Sequence, residues 1–348
     1  MSVSDDLRAA CATRILVKDG PYGTAIQGLG LQEADYRGAL TLNRDQKGNN
    51  DLLNLTRPRD IGDIARSYIE AGADILATNT FNANRISLAD YGAEHLVREV
   101  NLAAAKVIRD EVDKAQAEDG RQRFVAGSLG PTNKTLSLSP KVEDPGFREV
   151  DFDGVKAVYR EQIEALLDGG VDFILIETVF DTLNAKAAAF ACGDVGEARA
   201  CEVPVMLSMT LTDLSGRNLS GQTVEAFWHS IRHVKPVTVG LNCSFGATEL
   251  RPHVQALAKA ADVLIQVYPN AGLPNDLGAY DELPETTAAL IAAWADEGLI
   301  NIVGGCCGTT PAHIAAIARA VAGKPVRVPG ALKPAMRLAG IEAVSFAA

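Results

Sequence analysis

"RDIGDIARSYIEAGADILATNTF", residues 59–81, contains the unit from which the rest of the chain is read. Ile61, Ile64, Ala65, Tyr68 and Ile69 recur at the three- and four-residue spacing that places them on one stripe of a helix. Gly72 follows, able to take the left-handed conformation that ends helices. The period then changes. "ADILATNTF" (73–81) is a short apolar run closing on polar residues, the pattern of a strand covered on both faces.

Seven more runs have that strand character: "ILVKDG" (15–20), "FVAGSLGP" (124–131), "VDFILIETV" (171–179), "VPVMLSMT" (203–210), "PVTVGLNCS" (236–244), "DVLIQVYPN" (262–270) and "INIVGGCCG" (300–308). Helical stretches lie between them. "AVYREQIEALLDGG" repeats the first design, with Val158, Ile163, Leu166 and Leu167 ending at Gly169 and Gly170. Strands alternating with helices, without an antiparallel signal, fit either a doubly wound sheet or a barrel. The count of eight and the length of 348 residues favour an α/β (β/α)8 TIM barrel. The barrel is assigned to residues 1–323. Residues 324–348, with several prolines and no strong period, read as a C-terminal tail or linker segment. Long connections at 23–59 and 132–154 follow strands, which in a barrel places both on the face that carries active sites.

A net charge of −11 argues against a nucleic-acid partner, which selects a basic surface. No apolar run approaches the roughly 18 residues of a membrane span. The acidic start "MSVSDDLRAAC" lacks the basic opening of a signal peptide, so the expected location is cytoplasmic. The six cysteines then read as free, metal-binding or catalytic rather than as a disulfide framework.

Three of those cysteines fall at strand ends. Cys243 closes the sixth strand in "GLNCSFG", and Cys306 with Cys307 closes the eighth in "GGCCGTTPAHI". In a barrel these ends share one face. Neighbouring side chains on a regular strand point opposite ways, so Cys306 and Cys307 can serve one site only if the chain leaves strand geometry. Gly304, Gly305 and Gly308 allow that bend, and Thr309 or Thr310 can cap a helix opening with Pro311. Three thiolates suit Zn²⁺ with a fourth position open, the mark of a catalytic rather than a structural site. A thiolate-rich zinc is a poor source of hydroxide but a good holder of another thiolate, which points to alkyl transfer onto a substrate thiol. Burial as small apolar side chains is the competing reading, and it is retained for Cys11, Cys192 and Cys201.

Other strand ends offer polar groups: Asp19 in "KDGPYGT", Asn79 and Thr80 in "TNTF", Glu177 in "IETVFDT". Two carboxylates at strand ends suit a substrate ammonium group. They also admit a glycosidase-like acid and base, a reading the neighbouring thiols disfavour.

Together, "GLNCS" and "GGCCGTTPAHI" resemble the zinc-dependent homocysteine S-methyltransferases. "KGNNDLL", "AGADILATNTFNA", "SLGPTNKTLSLSP", "ILIETVFDTLNAKAA", "LSGQT" and "YPNAGLPN" extend the likeness from about Ile15 to about Ile341. They resemble one branch in particular, the amino-terminal homocysteine-binding module of cobalamin-dependent methionine synthase. The resemblance implies zinc on Cys243, Cys306 and Cys307, with homocysteine contacts from Asp19 and Glu177. It implies that Asn270 fills the open zinc position when substrate is absent. "DGPYGT" departs from the DGGMGT or DGAMGT of the family, placing Pro21 and Tyr22 beside the expected substrate. No stretch of the chain resembles a corrin-binding module, so the expected methyl donor is methylcobalamin on another chain. The implied partners are separate cobalamin-binding and folate-binding methionine synthase components. Two alternatives remain: a methyltransferase using a small donor such as S-methylmethionine or betaine, and a non-catalytic protein that binds zinc or homocysteine.

Overall fold

Eight short strands form a single parallel ring in the computed structural model, which describes residues 2–347. They are β1 (Leu16–Val17), β2 (Ile75–Ala77), β3 (Phe124–Leu129), β4 (Phe173–Val179), β5 (Val205–Met209), β6 (Thr238–Asn242), β7 (Leu264–Tyr268) and β8 (Ile302–Val303). Each strand pairs with its sequence neighbour from β2 to β8, and β8 pairs with β1. A parallel bridge between Lys18 and Ile75 joins β1 to β2 and closes the ring. This is the expected (β/α)8 barrel. All eight strands fall inside their predicted segments.

Helices clothe the ring as the apolar stripes require. Helix Pro58–Glu70 buries Ile61, Ile64, Ala65, Tyr68 and Ile69. Gly72 follows at φ +105°, and the amide of Ala73 donates back to the carbonyl of Tyr68. Helix Phe152–Asp168 ends at Gly169, with Gly170 at φ +90°.

The barrel interior has two unlike layers. Leu16, Ile75, Phe124, Ala126, Phe173, Leu175, Met206, Leu264 and Ile302 form an apolar floor, sealed by Leu7 and Cys11 of the amino-terminal helix Val3–Thr13. Burying each large side chain there contributes about 1.5–3 kcal/mol. Two residues further along the strands, the same inward parity delivers Lys18, Ser128, Glu177, Ser208 and Gln266. The change from apolar to polar occurs within a single period of the strand.

The carboxyl-terminal segment, expected as a tail or linker, carries regular structure of its own. Ala335–Ala339 (β9) and Ala343–Ala347 (β10) form an antiparallel hairpin. Its turn is tied to the loop after β5, where the Thr223 amide donates to the Ile341 carbonyl at 3.1 Å and Gln222 Nε2 to that of Gly340 at 2.8 Å. Upstream, the buried Arg327 guanidinium donates to the carbonyls of Ala258, Ala261 and Val263. The two hairpin strands are only five residues each, too short to raise a period above the proline-rich sequence before them.

Candidate metal centre and substrate pocket

Cys243 follows β6, whose last residue, Asn242, pairs with Tyr268 of β7. Cys243 and Ser244 have φ of +62° and +64°, a left-handed pair that turns the chain back over the barrel mouth. Left-handed conformations at non-glycine residues cost of order 1 kcal/mol each and persist where surrounding bonds enforce them. Here the Cys243 amide donates to the Tyr268 carbonyl at 3.3 Å, and the Phe245 amide to the Cys243 carbonyl at 2.8 Å.

On the other side, β8 pairs only through Val303, and the chain then bends as the glycines predicted. The Cys306 amide donates to the Pro269 carbonyl at 2.8 Å, and the Cys306 carbonyl accepts from the Thr309 amide and hydroxyl. A side chain at 304 would press on the backbone of Lys18 and Asp19, and Gly308 sits at φ +78° beneath the Tyr280 ring. Helix Pro311–Val321 follows, with Thr310 as its cap and Pro311 in its first turn.

These bends bring Cys243, Cys306 and Cys307 together, with all three sulfurs within 4.8 Å of one another. The Cys243 and Cys307 sulfurs are 3.8 Å apart. A tetrahedral zinc with Zn–S bonds of about 2.3 Å holds its sulfurs about 3.8 Å apart, so the chemistry of the three donors and the Cys243–Cys307 spacing fit the metal. Without a metal, thiol donation from Cys243 and Cys306 holds Cys307 far below the usual thiol range, at about 3. The same contacts, with burial, push Cys306 well above it. Asn270 lies on the loop after β7, fully buried, and its Oδ1 lacks a hydrogen-bond partner among the described residues. The neighbouring Ala271 amide donates to the Cys307 carbonyl, tying that loop to the cysteine pair.

The sulfurs face a cavity of about 610 Å³ at the carboxyl end of the barrel. Lys18, Ser128, Glu177, Asn242 and Tyr268 line its floor, and Asn50, Asp51, Asn79, Phe81 and Tyr280 its walls. Glu177 is fixed by Ser128, whose hydroxyl donates to Oε1 at 2.5 Å. The β4–β5 register shifts between Ile176 and Val179, with Thr178 at φ +57°. Asn242 spans this irregularity, donating to the Thr178 hydroxyl at 2.8 Å and accepting from Ser208 at 2.6 Å. Such irregularities re-aim side chains beside functional sites.

Two residues expected at the substrate are not on the cavity wall. Asp19 is fully buried, with Oδ1 on Lys18 Nζ and Oδ2 on the Ala77 amide, both at 2.8 Å. Its strand parity is opposite to that of Lys18, so it backs the lysine instead of facing the cavity. Thr80 is also buried. Its hydroxyl bonds the Ser128 carbonyl and Thr78, a loop-fastening role. Asn79 does reach the wall, with Nδ2 on the Asn50 carbonyl. Pro21 and Tyr22 both line the cavity, and Tyr22 opens helix Tyr22–Gly28 and packs edge-on against Tyr68.

Lys18 was not singled out in the sequence, although "ILVK" places it two residues beyond the inward Leu16. Burial pulls its pKa down, but Asp19 and Glu177 more than offset that, so it is held above the ordinary lysine value and stays charged. Of the two long connections, the one at 23–59 supplies Asn50 and Asp51. The one at 132–154 contributes nothing to this cavity, and its Thr132 and Asn133 border a side cavity instead. The loop after β7 supplies Tyr280, a contribution the sequence did not signal.

Among the described residues, no helix is long and apolar enough to cross a membrane. Three crystal structures of the homocysteine methyltransferase MmuM from Escherichia coli share this fold. The metallated form is 25% identical, with a TM-score of 0.66, covering 88% of this chain and 96% of that one. The oxidised form gives 22% and 0.68, covering 87% and 94%, and the apo form 23% and 0.61, covering 88% and 96%. The family model for homocysteine S-methyltransferase matches residues 16–321, a span running from β1 to the helix that follows the cysteine pair. A three-sulfur centre at the mouth of a (β/α)8 barrel thus occurs in a methyltransferase, and the chain belongs to the homocysteine S-methyltransferase family.

Proposed function

We propose that the protein transfers a methyl group to the thiol of homocysteine to form methionine, with zinc held by Cys243, Cys306 and Cys307. The observation that carries this reading is the 3.8 Å sulfur spacing beside a cavity whose floor presents Glu177 and Lys18. Zinc held by these three thiolates would keep a bound substrate sulfur deprotonated and electron-rich. Glu177 draws the substrate ammonium toward the floor, which leaves the side chain free to extend toward the sulfurs. Asn270, whose buried Oδ1 lacks a partner among the described residues, would serve as a further oxygen donor to the metal when no substrate is present. The thiol proton leaves to solvent. The substrate sulfur then attacks the methyl carbon in line and displaces the donor: an S–C bond forms, and the donor–methyl bond breaks with its electrons remaining on the donor.

The donor in this reading is methylcobalamin carried by a separate protein that docks over the barrel mouth, itself served by a folate-binding component. The long motifs shared with the methionine synthase module support it. A small onium donor, S-methylmethionine or betaine, is the second reading, supported by an alignment that covers 96% of the homocysteine methyltransferase MmuM. Methionine formation by zinc-loaded protein, assayed with a methylcobalamin-loaded partner and separately with each small donor, decides between them. Turnover with a free small donor alone would overturn the cobalamin reading. Full activity in protein stripped of metal would overturn both.

A further inference from the structure

Two groups on the cavity floor have hydrogen-bonding capacity that the chain leaves unfilled. Lys18 is 4% exposed, and of the three donors on its ammonium only one has an acceptor among the described residues, Asp19. Tyr268 is 1% exposed, and its hydroxyl has no partner among the described residues. The Lys18 nitrogen lies 4.7 Å from the centroid of the Tyr268 ring, so the two form one patch, and both line the cavity with Glu177 and the three cysteines. A buried polar group without a partner costs about 1–3 kcal/mol, more when charged, so such a patch is a site awaiting an acceptor.

We propose that Lys18 and Tyr268 bind the α-carboxylate of the amino-acid substrate while Glu177 takes its α-ammonium. The inference rests on the homocysteine reading above and adds the residues that recognise the other half of the amino-acid head. The ammonium and carboxylate of an amino acid share one carbon, so a site for both needs an anion and a cation side by side. Glu177 alone would repel the carboxylate that arrives with the ammonium. Lys18 removes that repulsion, and its free donors with the Tyr268 hydroxyl match the two carboxylate oxygens. Asp19 is the positioning residue. Fixed by the Ala77 amide, it holds Lys18 charged and in place from behind.

Cobalt(II)-substituted protein tests this, because a thiol entering the sulfur centre produces a thiolate-to-cobalt absorption band. Homocysteine is titrated against 3-aminopropane-1-thiol, which keeps the thiol and amine but lacks the carboxylate. The wild type is expected to prefer homocysteine by roughly 50-fold or more, and Lys18→Met to reduce that preference to about threefold. The loss should fall on homocysteine alone, with the decarboxylated thiol moving less than about threefold. Tyr268→Phe removes one hydroxyl and is expected to weaken homocysteine roughly fivefold while sparing the other thiol; it decides the matter if Lys18→Met fails to fold. An unchanged preference in the variants overturns the proposal, as does equal weakening of both thiols, which assigns the residues to the sulfur centre or to structure. A wild-type band without preference for homocysteine overturns this inference alone. No band with either thiol overturns the underlying reading as well.

Discussion

The two ends of the barrel interior are built on the same strands and obey opposite rules. At the amino end, Leu16, Phe124, Phe173 and Met206 close a dry floor under the helix that carries Cys11. One strand period further on, Lys18, Ser128, Glu177 and Ser208 form a charged, hydrogen-bonded layer beneath three sulfurs. The cysteines show what the difference means. Burial pushes the Cys11 thiol up to about 12, which leaves it inert as a nucleophile and as a ligand. At the mouth, mutual contact splits the thiols instead: Cys307 is held at about 3, while Cys243 is raised to about 11 and Cys306 well above the usual range. Residue type alone decides nothing here. A fixed apolar floor gives rigidity, and it also makes each charge above it costly unless paired. That cost is why Lys18 and Glu177 come with fixed partners in Asp19 and Ser128.

The sharpest way to break the comparison is to remove a sulfur from the mouth. Cys306→Ser or Cys307→Ser should lower both bound zinc and methyl transfer by more than about a hundredfold, the scale at which even outer partners of a metal site act. Metal content and single-turnover rate are measured on protein whose melting curve is unchanged. Zinc retained at wild-type stoichiometry would mean that the sulfurs do not act as one centre. Glu177→Gln tests the layer below. It keeps the shape and the Ser128 contact but loses the charge, and kcat/KM for homocysteine should fall roughly 10–100-fold through KM, with zinc content unchanged. A fall in kcat alone would place Glu177 at the reacting atoms rather than at the ammonium.

The sequence was most legible where strand periodicity alone governs. The eight apolar runs and the stripe on Ile61, Ile64, Ala65, Tyr68 and Ile69 reflect burial, which leaves a direct trace in residue order. The carboxyl ends were overrun because there the ladder gives way to contacts made between distant loops. β8 stops at Val303, and the next amides bond to Val267, Asp19 and Pro269 instead of continuing one register. The cysteine trio could be read because topology alone brings β6 and β8 ends to one face. The split between Asp19 and Glu177 was also in the sequence. Glu177 shares parity with the inward Phe173 and Leu175, whereas Asp19 is one step out of phase with Leu16 and Lys18. Treating both as equivalent carboxylates missed the lysine between them. The left-handed Cys243–Ser244 turn left no trace, since neither residue is a glycine or asparagine.

The polar layer should also carry a pH signature that the floor lacks. Asp51 lines the cavity wall at 4% exposure and accepts from the Asn82 amide, and burial raises its pKa from 3.8 to about 7. A carboxyl raised in the folded state is favourable while protonated. Its contribution is therefore complete below pH 3.8 and is lost as pH rises through about 7. Asp51→Asn keeps the acceptor without the charge, so it should match the wild type near pH 4 and exceed its unfolding free energy by up to about 4 kcal/mol at pH 8. Urea midpoints at the two pH values measure this, and a constant difference would show that Asp51 is not charging in the folded state.

The smallest expected effect belongs to the floor itself. Cys11→Ala removes one sulfur from a packed apolar cluster, where the thiol's hydrogen-bond partner among the described residues is the Asn301 carbonyl at 4.0 Å. The loss is a small void at the closed end of the barrel, costing about 1 kcal/mol in the urea midpoint and doing so equally at pH 5 and pH 8. Zinc content, thiol binding and methyl transfer should stay at wild-type values, because nothing in the lower layer exchanges charge with the mouth. A change in kcat/KM from this substitution would show that packing beneath Lys18 and Glu177 sets their positions. The two layers would then act as one unit, with the apolar floor serving as part of the substrate site.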